Sequence, residues 1–190
     1  MAAEIMILIG SPRKNGNSAT LAERAAQMAR EAGATTDTVV LHDLAITPCD
    51  GCGVCRESVE AECVIHDDMG AVYPKLRRAD AILIATPIYS YDMSAQTKLL
   101  IDRCYALGSK DGGNALNGKR FGFIVVYGAK DQFSAGAATA MRCFHDTFAR
   151  KASGIRMIHG SAGAIGDAER NQRFASQAED LGRFLAGEDN

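Results

Sequence analysis

An α/β domain, with a parallel sheet of five strands covered by helices on both faces, is predicted by three observations. Short apolar runs alternate with stretches of helical periodicity along the chain. Ala81-Ile82-Leu83-Ile84-Ala85-Thr86 is almost wholly apolar, as a central strand buried on both faces must be. Finally, the apolar run Ile5-Met6-Ile7-Leu8-Ile9 is followed by a polar turn, GSPRKNGNS from Gly10 to Ser18, that opens into helical sequence.

The elements follow in order. After the first strand, residues 18–32 carry Leu21, Ala25, Met28, Ala29 and Ala32 on one face, and Gly33 is a natural stop. Thr36 to Leu41 reads as the second strand, and the irregular segment 43–66 holds four cysteines. Asp67-Asp68 starts a helix carrying Met69, Val72, Tyr73 and Leu76, which Pro74 should kink or restart. The third strand is 81–86 and ends in a loop from Pro87 to Met93; a helix from Ser94 to Leu107 turns Leu100, Ile101 and Cys104 inward. A glycine-rich excursion, 108–118, precedes the fourth strand, 121–127, and a long helix, 134–151. The fifth strand, 155–158, and a terminal helix, 167–186, complete five strands and five helices. Right-handed crossovers wind such a chain into a doubly wound sheet whose ligands bind beyond the carboxyl ends of the strands, so loops 10–18, 87–94 and 127–134 should share one rim.

Composition limits what the rim can serve. The 190 residues, 47% hydrophobic and 23% charged, suit one domain spanning 1–190, and no repeat or linker interrupts it. A net charge of −2 argues against nucleic-acid and anionic-membrane partners. The longest apolar run is far too short for a membrane span, and Met1-Ala2-Ala3-Glu4 lacks the order of a signal peptide, so a cytoplasmic protein is expected. Its six cysteines then read as ligands, reactive thiols or core residues rather than a disulfide framework.

The turn from Gly10 to Ser18 has the chemistry of a phosphate site. A helix N-terminus offers unpaired N–H groups and a positive dipole end, each interaction worth roughly 0.3 to 2 kcal/mol to an anion. Ser11, Asn15, Asn17, Ser18 and Thr20 add hydroxyl and amide donors, Arg13 adds a planar fork, and Gly10 and Gly16 permit tight turning. Two familiar phosphate loops are excluded. Five residues rather than four separate Gly10 from Gly16, with Asn17 where a Walker A loop has lysine, and no G-x-G-x-x-G fingerprint occurs. The plain alternative is a surface turn with ordinary capping residues.

A second concentration of chemistry lies in Cys49-x2-Cys52-x2-Cys55, followed after seven residues by Cys63. Soft ligands at this density suit an iron–sulfur cluster or zinc, and free or reversibly oxidised thiols are the third reading. The segment follows the second strand and therefore leaves from the same rim as the phosphate loop. Cys104 and Cys143 fall within helices and read as core.

Together, GSPRKNGNSATL, TPIYSYDMSAQTKLLIDR and the VVYGAKD turn resemble the flavodoxin-like NAD(P)H-dependent FMN reductases, including the iron-sulfur flavoproteins; the likeness covers residues 4–130. It implies a three-layer flavodoxin-like sheet in the order 2-1-3-4-5. It also implies FMN phosphate contacts from Ser11, Arg13, Asn15, Asn17 and Ser18. Ring contacts would come from Pro87, Ile88, Tyr89, Ser90 and Tyr91, and from Tyr127, Gly128 and Ala129. The cysteine spacing resembles the compact motif of the iron-sulfur branch, which implies a [4Fe-4S] cluster on Cys49, Cys52, Cys55 and Cys63. A homodimer or homotetramer is implied as well.

The residues alone say less. Tyr89 and Tyr91 offer amphipathic aromatic surface, which fits flavin stacking or a lid on the sheet end. Ser94 is a good N-cap, Met93 an apolar filler, and Asp102 and Arg103 a surface ion pair or packing contact. His42, His66, His145 and His159 form no recognisable triad, and none is needed where a bound flavin carries the chemistry. Two functions follow from the resemblance. One is an oxidoreductase passing reducing equivalents from the cosubstrate NAD(P)H through FMN to a quinone, flavin or other small acceptor. The other is an electron carrier linking a ferredoxin-like partner, a [4Fe-4S] cluster and FMN.

Overall fold

The computed structural model describes residues 2–57, 62–128, 134–149 and 153–188. Its elements are β1 (Glu4–Ile9), α1 (Asn17–Glu31), β2 (Thr35–Val40), α2 (Met69–Arg78), β3 (Ala81–Tyr89), β4 (Asp92–Met93) and α3 (Ala95–Arg103). They continue with β5 (Arg120–Tyr127), α4 (Ala135–Phe148), β6 (Ile155–Ser161), α5 (Asp167–Arg170) and α6 (Gln172–Ala186). The sheet runs β2-β1-β3-β5-β6 with every neighbour parallel. Setting aside the two-residue β4, this is the expected flavodoxin-like order.

Alternation along the strands divides the core into two layers. Ile5, Ile7 and Leu83 face α1 and α6, while Met6, Leu8, Ile82, Ile84, Phe121 and Phe123 face the side covered by α2, α3 and α4. α1 lies close to α6 because both present small residues: a Cβ on Gly182 would sit 2.3 Å from the Ala25 carbonyl oxygen. Gly33 ends α1 as expected, with φ +87° and the N–H of Ala34 donating to the Ala29 carbonyl at 3.0 Å.

Several details differ from the sequence reading. A single helix, α2, runs through Pro74 without a restart. β3 continues past Thr86 to Tyr89 and folds back on β4 as an antiparallel hairpin, so 87–93 is not a simple loop. The terminal helix is two helices, because the Asn171 side chain accepts from the N–H groups of Arg173 and Phe174 and caps α6. Cys143 is exposed rather than core, since the buried stripe of α4 is Ala137, Met141 and Phe144. Arg103 is buried at 1% exposure and pairs with Asp67, while Asp102 pairs with Lys98 on the surface.

A buried polar cluster fixes the rim. Ser94 Oγ donates to the Gly10 carbonyl at 2.8 Å, and Ser94 N–H donates to Thr86 Oγ1 at 3.1 Å. Ser94 Oγ also lies 2.9 Å from Thr97 Oγ1 and accepts from the Thr97 N–H at 3.3 Å, as the N-cap of α3. Gly10 has to be glycine here, because a Cβ would meet Thr97 Oγ1 at 1.9 Å.

The cysteine segment leaves the rim through a closed neck. Ala45 N–H donates to Asp68 Oδ2 at 2.7 Å and Thr47 N–H to Asp67 Oδ2 at 2.8 Å. Burial opposes the charge of Asp67, but donation from Arg103 and from the N–H groups of Thr47 and Met69 outweighs it and holds the carboxyl below the usual range.

Two outcomes are expected. Ser94→Ala removes the cap of α3 and strands Gly10 and Thr86, so it should cost about 2 to 4 kcal/mol in denaturant unfolding; a loss below about 0.5 kcal/mol would show that the cluster does not hold the rim. Asp67 has a depressed folded pKa, so its contribution is complete above its unfolded value of about 4 and fades as pH falls toward the lower folded value. The stability gap between wild type and Asp67→Asn should therefore be constant above about pH 5 and shrink below about pH 4. A gap that widens on acidification would contradict this assignment.

Candidate functional site

At the carboxyl ends of β1, β3, β5 and β6, a cleft of about 90 Å³ is lined by Ser11, Arg13, Gly16, Asn17, Ser18, Pro87, Ile88, Tyr89, Val126, Tyr127, Gly128, Ala162, Gly163 and Ile165. Nine of the thirteen residues that the resemblance assigns to the cofactor are in this lining: Ser11, Arg13, Asn17, Ser18, Pro87, Ile88, Tyr89, Tyr127 and Gly128. Asn15 points elsewhere, lining a neighbouring groove along α1 with Lys14. Ser90 and Tyr91 form the tip of the β3–β4 hairpin, and Ala129 lies outside the described residues.

The floor of the cleft is the start of α1. Ser11 Oγ accepts from the Arg13 N–H at 3.1 Å and folds the turn over Gly16, where a Cβ would come within 2.9 Å of that hydroxyl. Gly16 supplies no side-chain cap, so the first N–H groups of α1 are left facing the cleft without a side-chain acceptor. Ser18 is 1% exposed, and its Oγ has no hydrogen-bond partner among the described residues. None of the lining residues is acidic, and Arg13 is exposed at the edge. Hydroxyl, guanidinium and helix N–H donors thus border one small volume without an acidic side chain among its lining, which suits an anion.

Asn17 does a different job from its neighbours. Its Nδ2 donates to the carbonyls of Ala162 and Ala164, both at 2.8 Å, and its Oδ1 accepts from the Ala168 N–H at 3.2 Å. The side chain is thereby occupied in tying the loop after β6 to the turn from Gly10 to Ser18. This fourth loop went unread in the sequence. Its signal is Gly160, Gly163 and Gly166 at every third position. Gly128 and Gly163 let two loops touch backbone to backbone, a Cβ on Gly128 lying 3.3 Å from the Gly163 Cα.

The upper lip is aromatic. Tyr89 and Tyr91 are 41% and 68% exposed, and the turn between β3 and β4 holds Ser90 at φ 47° and Tyr91 at φ 75°. A tyrosine in the left-handed region is strained, a cost of order 1 to 3 kcal/mol that typically persists at ligand clamps. Across the cleft, Tyr127 packs on the His159 ring with centroids 5.0 Å apart, and His159 Nε2 lies 2.8 Å from Ser134 Oγ.

The four loop cysteines line one cavity of about 450 Å³, together with Val64, Ile101, Tyr105 and Phe148. All are free thiols: Cys49 and Cys52 are exposed, Cys63 is half-buried and Cys55 is buried. Gly51 and Gly53, at φ +73° and +78°, wind the C-x2-C-x2-C stretch. Burial first, then the neighbouring Cys63, Cys49 and Cys52, pushes the Cys55 thiol up, while the N–H of Cys52 holds Asp50 down. No three histidine, cysteine or acidic side chains among the described residues converge tightly enough for one metal ion. Cys104 stands apart, fully buried, its thiol pushed up to about 12 by burial and by Asp102. No helix among the described residues is long and apolar enough to cross a membrane.

The model of the NADPH-dependent FMN reductase family matches residues 3–152. An iron-sulfur flavoprotein of Methanosarcina thermophila is 37% identical over 137 residues, 72% of this chain and 68% of that protein. Another, from Methanocaldococcus jannaschii, is 32% identical over 145 residues, 76% and 71% of the two chains. Among solved structures, an NAD(P)H:quinone oxidoreductase from Methanothermobacter marburgensis superposes with TM-score 0.73 at 20% identity, covering 97% of this chain and 100% of the other. A flavodoxin of Streptococcus pneumonia superposes with TM-score 0.61 at 17% identity, covering 98% and 100%. With its parallel sheet, its acid-free cleft and its four-cysteine loop, the chain belongs to the NADPH-dependent FMN reductase family and, within it, to the iron-sulfur flavoprotein branch.

Proposed function

We propose that this protein is an FMN-dependent oxidoreductase that takes reducing equivalents from NAD(P)H and delivers them to a quinone, flavin or other small acceptor. The observation that carries this reading is the partnerless Ser18 hydroxyl, buried at the start of α1 in a cleft without an acidic residue. Ser18 Oγ, the first N–H groups of α1 and the Arg13 guanidinium would hold the phosphate, with Ser11 shaping the turn around it. The enclosed volume is small, so the rest of a mononucleotide lies along the open lip. There Pro87, Ile88, Tyr89 and Tyr127 supply apolar and aromatic surface. FMN, when bound, supplies hydride and single-electron chemistry, and the protein supplies binding and orientation. The side chains' own task would be to bind and orient the cofactor, with Pro87, Ile88, Tyr89 and Tyr127 as its apolar and aromatic support.

A second reading rests on the four thiols that share one cavity. Cys49, Cys52, Cys55 and Cys63 would hold a [4Fe-4S] cluster, which supplies one-electron steps and suits a ferredoxin-like partner. A cluster spreads its four thiolates over a larger body than a single ion does, so this donor set suits a cluster better than zinc, whose sulfur ligands sit about 2.3 Å from the metal.

Protein purified without oxygen should carry FMN, and extraction of FAD instead would overturn the site assignment. Arg13→Ala and Ser18→Ala should each weaken FMN binding about tenfold, the loss of one hydrogen bond to a charged group, without lowering the apoprotein's melting temperature. Unchanged affinity in both would mean the turn is structural. Cys52→Ser should abolish bound iron and sulfide while flavin content stays. Oxidation of NAD(P)H by the isolated protein with a quinone as acceptor supports the enzyme; reduction of the bound flavin by reduced ferredoxin but not by NAD(P)H supports the carrier.

A further inference from the structure

The cysteine segment is anchored by one side chain that belongs to a different part of the chain. Arg103, the last residue of α3, is 1% exposed and spreads its guanidinium across both ends of the segment. One terminal nitrogen donates to the Thr47 carbonyl at 2.8 Å and to Asp67 Oδ2, and the other donates to the Ile65 carbonyl at 3.3 Å and to Asp67 Oδ1 at 3.1 Å. Asp67 in turn accepts from the Thr47 N–H at 2.8 Å and from the Met69 N–H at 3.0 Å. Thr47 stands two residues before Cys49 and Ile65 two residues after Cys63. Every one of these bonds therefore falls just outside the first and last thiol. The Arg103 carbonyl accepts from the buried Tyr73 hydroxyl at 3.1 Å, so the clamp is itself held. A second tether sits within the loop, where the Arg56 guanidinium lies 4.6 Å above the Tyr105 ring.

We infer that Arg103 and Asp67 are positioning residues for the four-cysteine loop, an ion-paired clamp that closes its neck and so confines the four thiols to one cavity before any metal arrives. The inference rests on the second reading above for what the loop finally holds, but not for the clamp itself. Its physical basis is loop closure. Gathering four ligands on a long irregular segment costs chain entropy, and a neck already closed by a planar fork removes that cost from the binding step. Lysine cannot replace arginine here, because a single ammonium cannot serve two carbonyls and both carboxylate oxygens in one plane.

The test is residue-resolved alkylation by iodoacetamide of the full-length flavin-bound chain after chelation of metal. Wild type is compared with Arg103→Lys and with Arg103→Met/Asp67→Leu, the latter leaving no unpaired buried charge. Cys55 and Cys63 should react at least about tenfold faster in both variants, the change expected from one lost charge-assisted bond in a local opening. Cys104, next to Arg103 in sequence and fully buried, should stay slow. Unchanged rates at Cys55 and Cys63 in a folded variant, or parallel acceleration of Cys104, would overturn the clamp. If the double variant fails to fold, Arg103→Lys decides alone. Anaerobic reconstitution with iron and sulfide separates the two inferences. Wild type that takes up no iron, with variants that show the selective acceleration, loses the cluster and keeps the clamp; full iron uptake by wild type, with variants whose alkylation is unchanged, does the reverse.

Discussion

The hydrogen bonds of Ser94 are the constraint on which the rim of this protein depends. One hydroxyl caps α3, receives the Thr97 N–H and holds the carbonyl of Gly10, while the backbone N–H of Ser94 reaches Thr86 within β3. β3, α3 and the distant end of β1 are thereby registered to one another inside the core, where a polar group without a partner is costly. The phosphate turn begins at Gly10, so its starting point is set by this cluster rather than by anything in the turn. The absence of a Cβ at Gly10 is what allows α3 to come that close.

From that fixed start, the side chains of the turn divide into those that shape it and those left over for the anion proposed above. Asn17 spends its side chain on the loop after β6, Ser11 on the backbone of Arg13, and Thr20 on the Gly16 carbonyl. Ser18 and the first N–H groups of α1 remain. The division is economical in physical terms. Side chains that shape the turn are hydrogen-bonded, and the donors left over sit together at the positive end of the helix dipole.

Much of this was legible in the sequence, for reasons that differ by element. β3 and α1 declare themselves because burial on both faces and a 3.6-residue period leave unmistakable patterns. The β3–β4 hairpin does not, because Ser90-Tyr91 lacks the Asn-Gly signature of its turn and adopts left-handed geometry against its own preference. Asn171 hides a helix break inside an otherwise continuous pattern. The loop after β6 contributes backbone and glycines rather than reactive side chains, so its one signal is the spacing of those glycines. Arg103 was read as a surface or packing residue because the partner that makes its burial tolerable, Asp67, lies 36 positions away. Only long-range pairing decides such a case.

α3 touches both candidate sites, with Ser94 at its entrance and Arg103 at its exit. At 1.5 Å of rise per residue, the nine residues between Ala95 and Arg103 make a bar about 14 Å long, and each residue added or removed turns everything beyond it by about 100°. The helix is therefore a ruler with a phase as well as a length. A one-residue insertion would swing Arg103 off Asp67, whereas a seven-residue insertion would restore its direction to within about 20° but carry it about 10 Å along the helix axis, out of reach of a neck held by β2 and α2. The distance from Ser94 to Arg103 is thus quantised by helical geometry, and a change in it that keeps the direction of the guanidinium requires whole turns of α3.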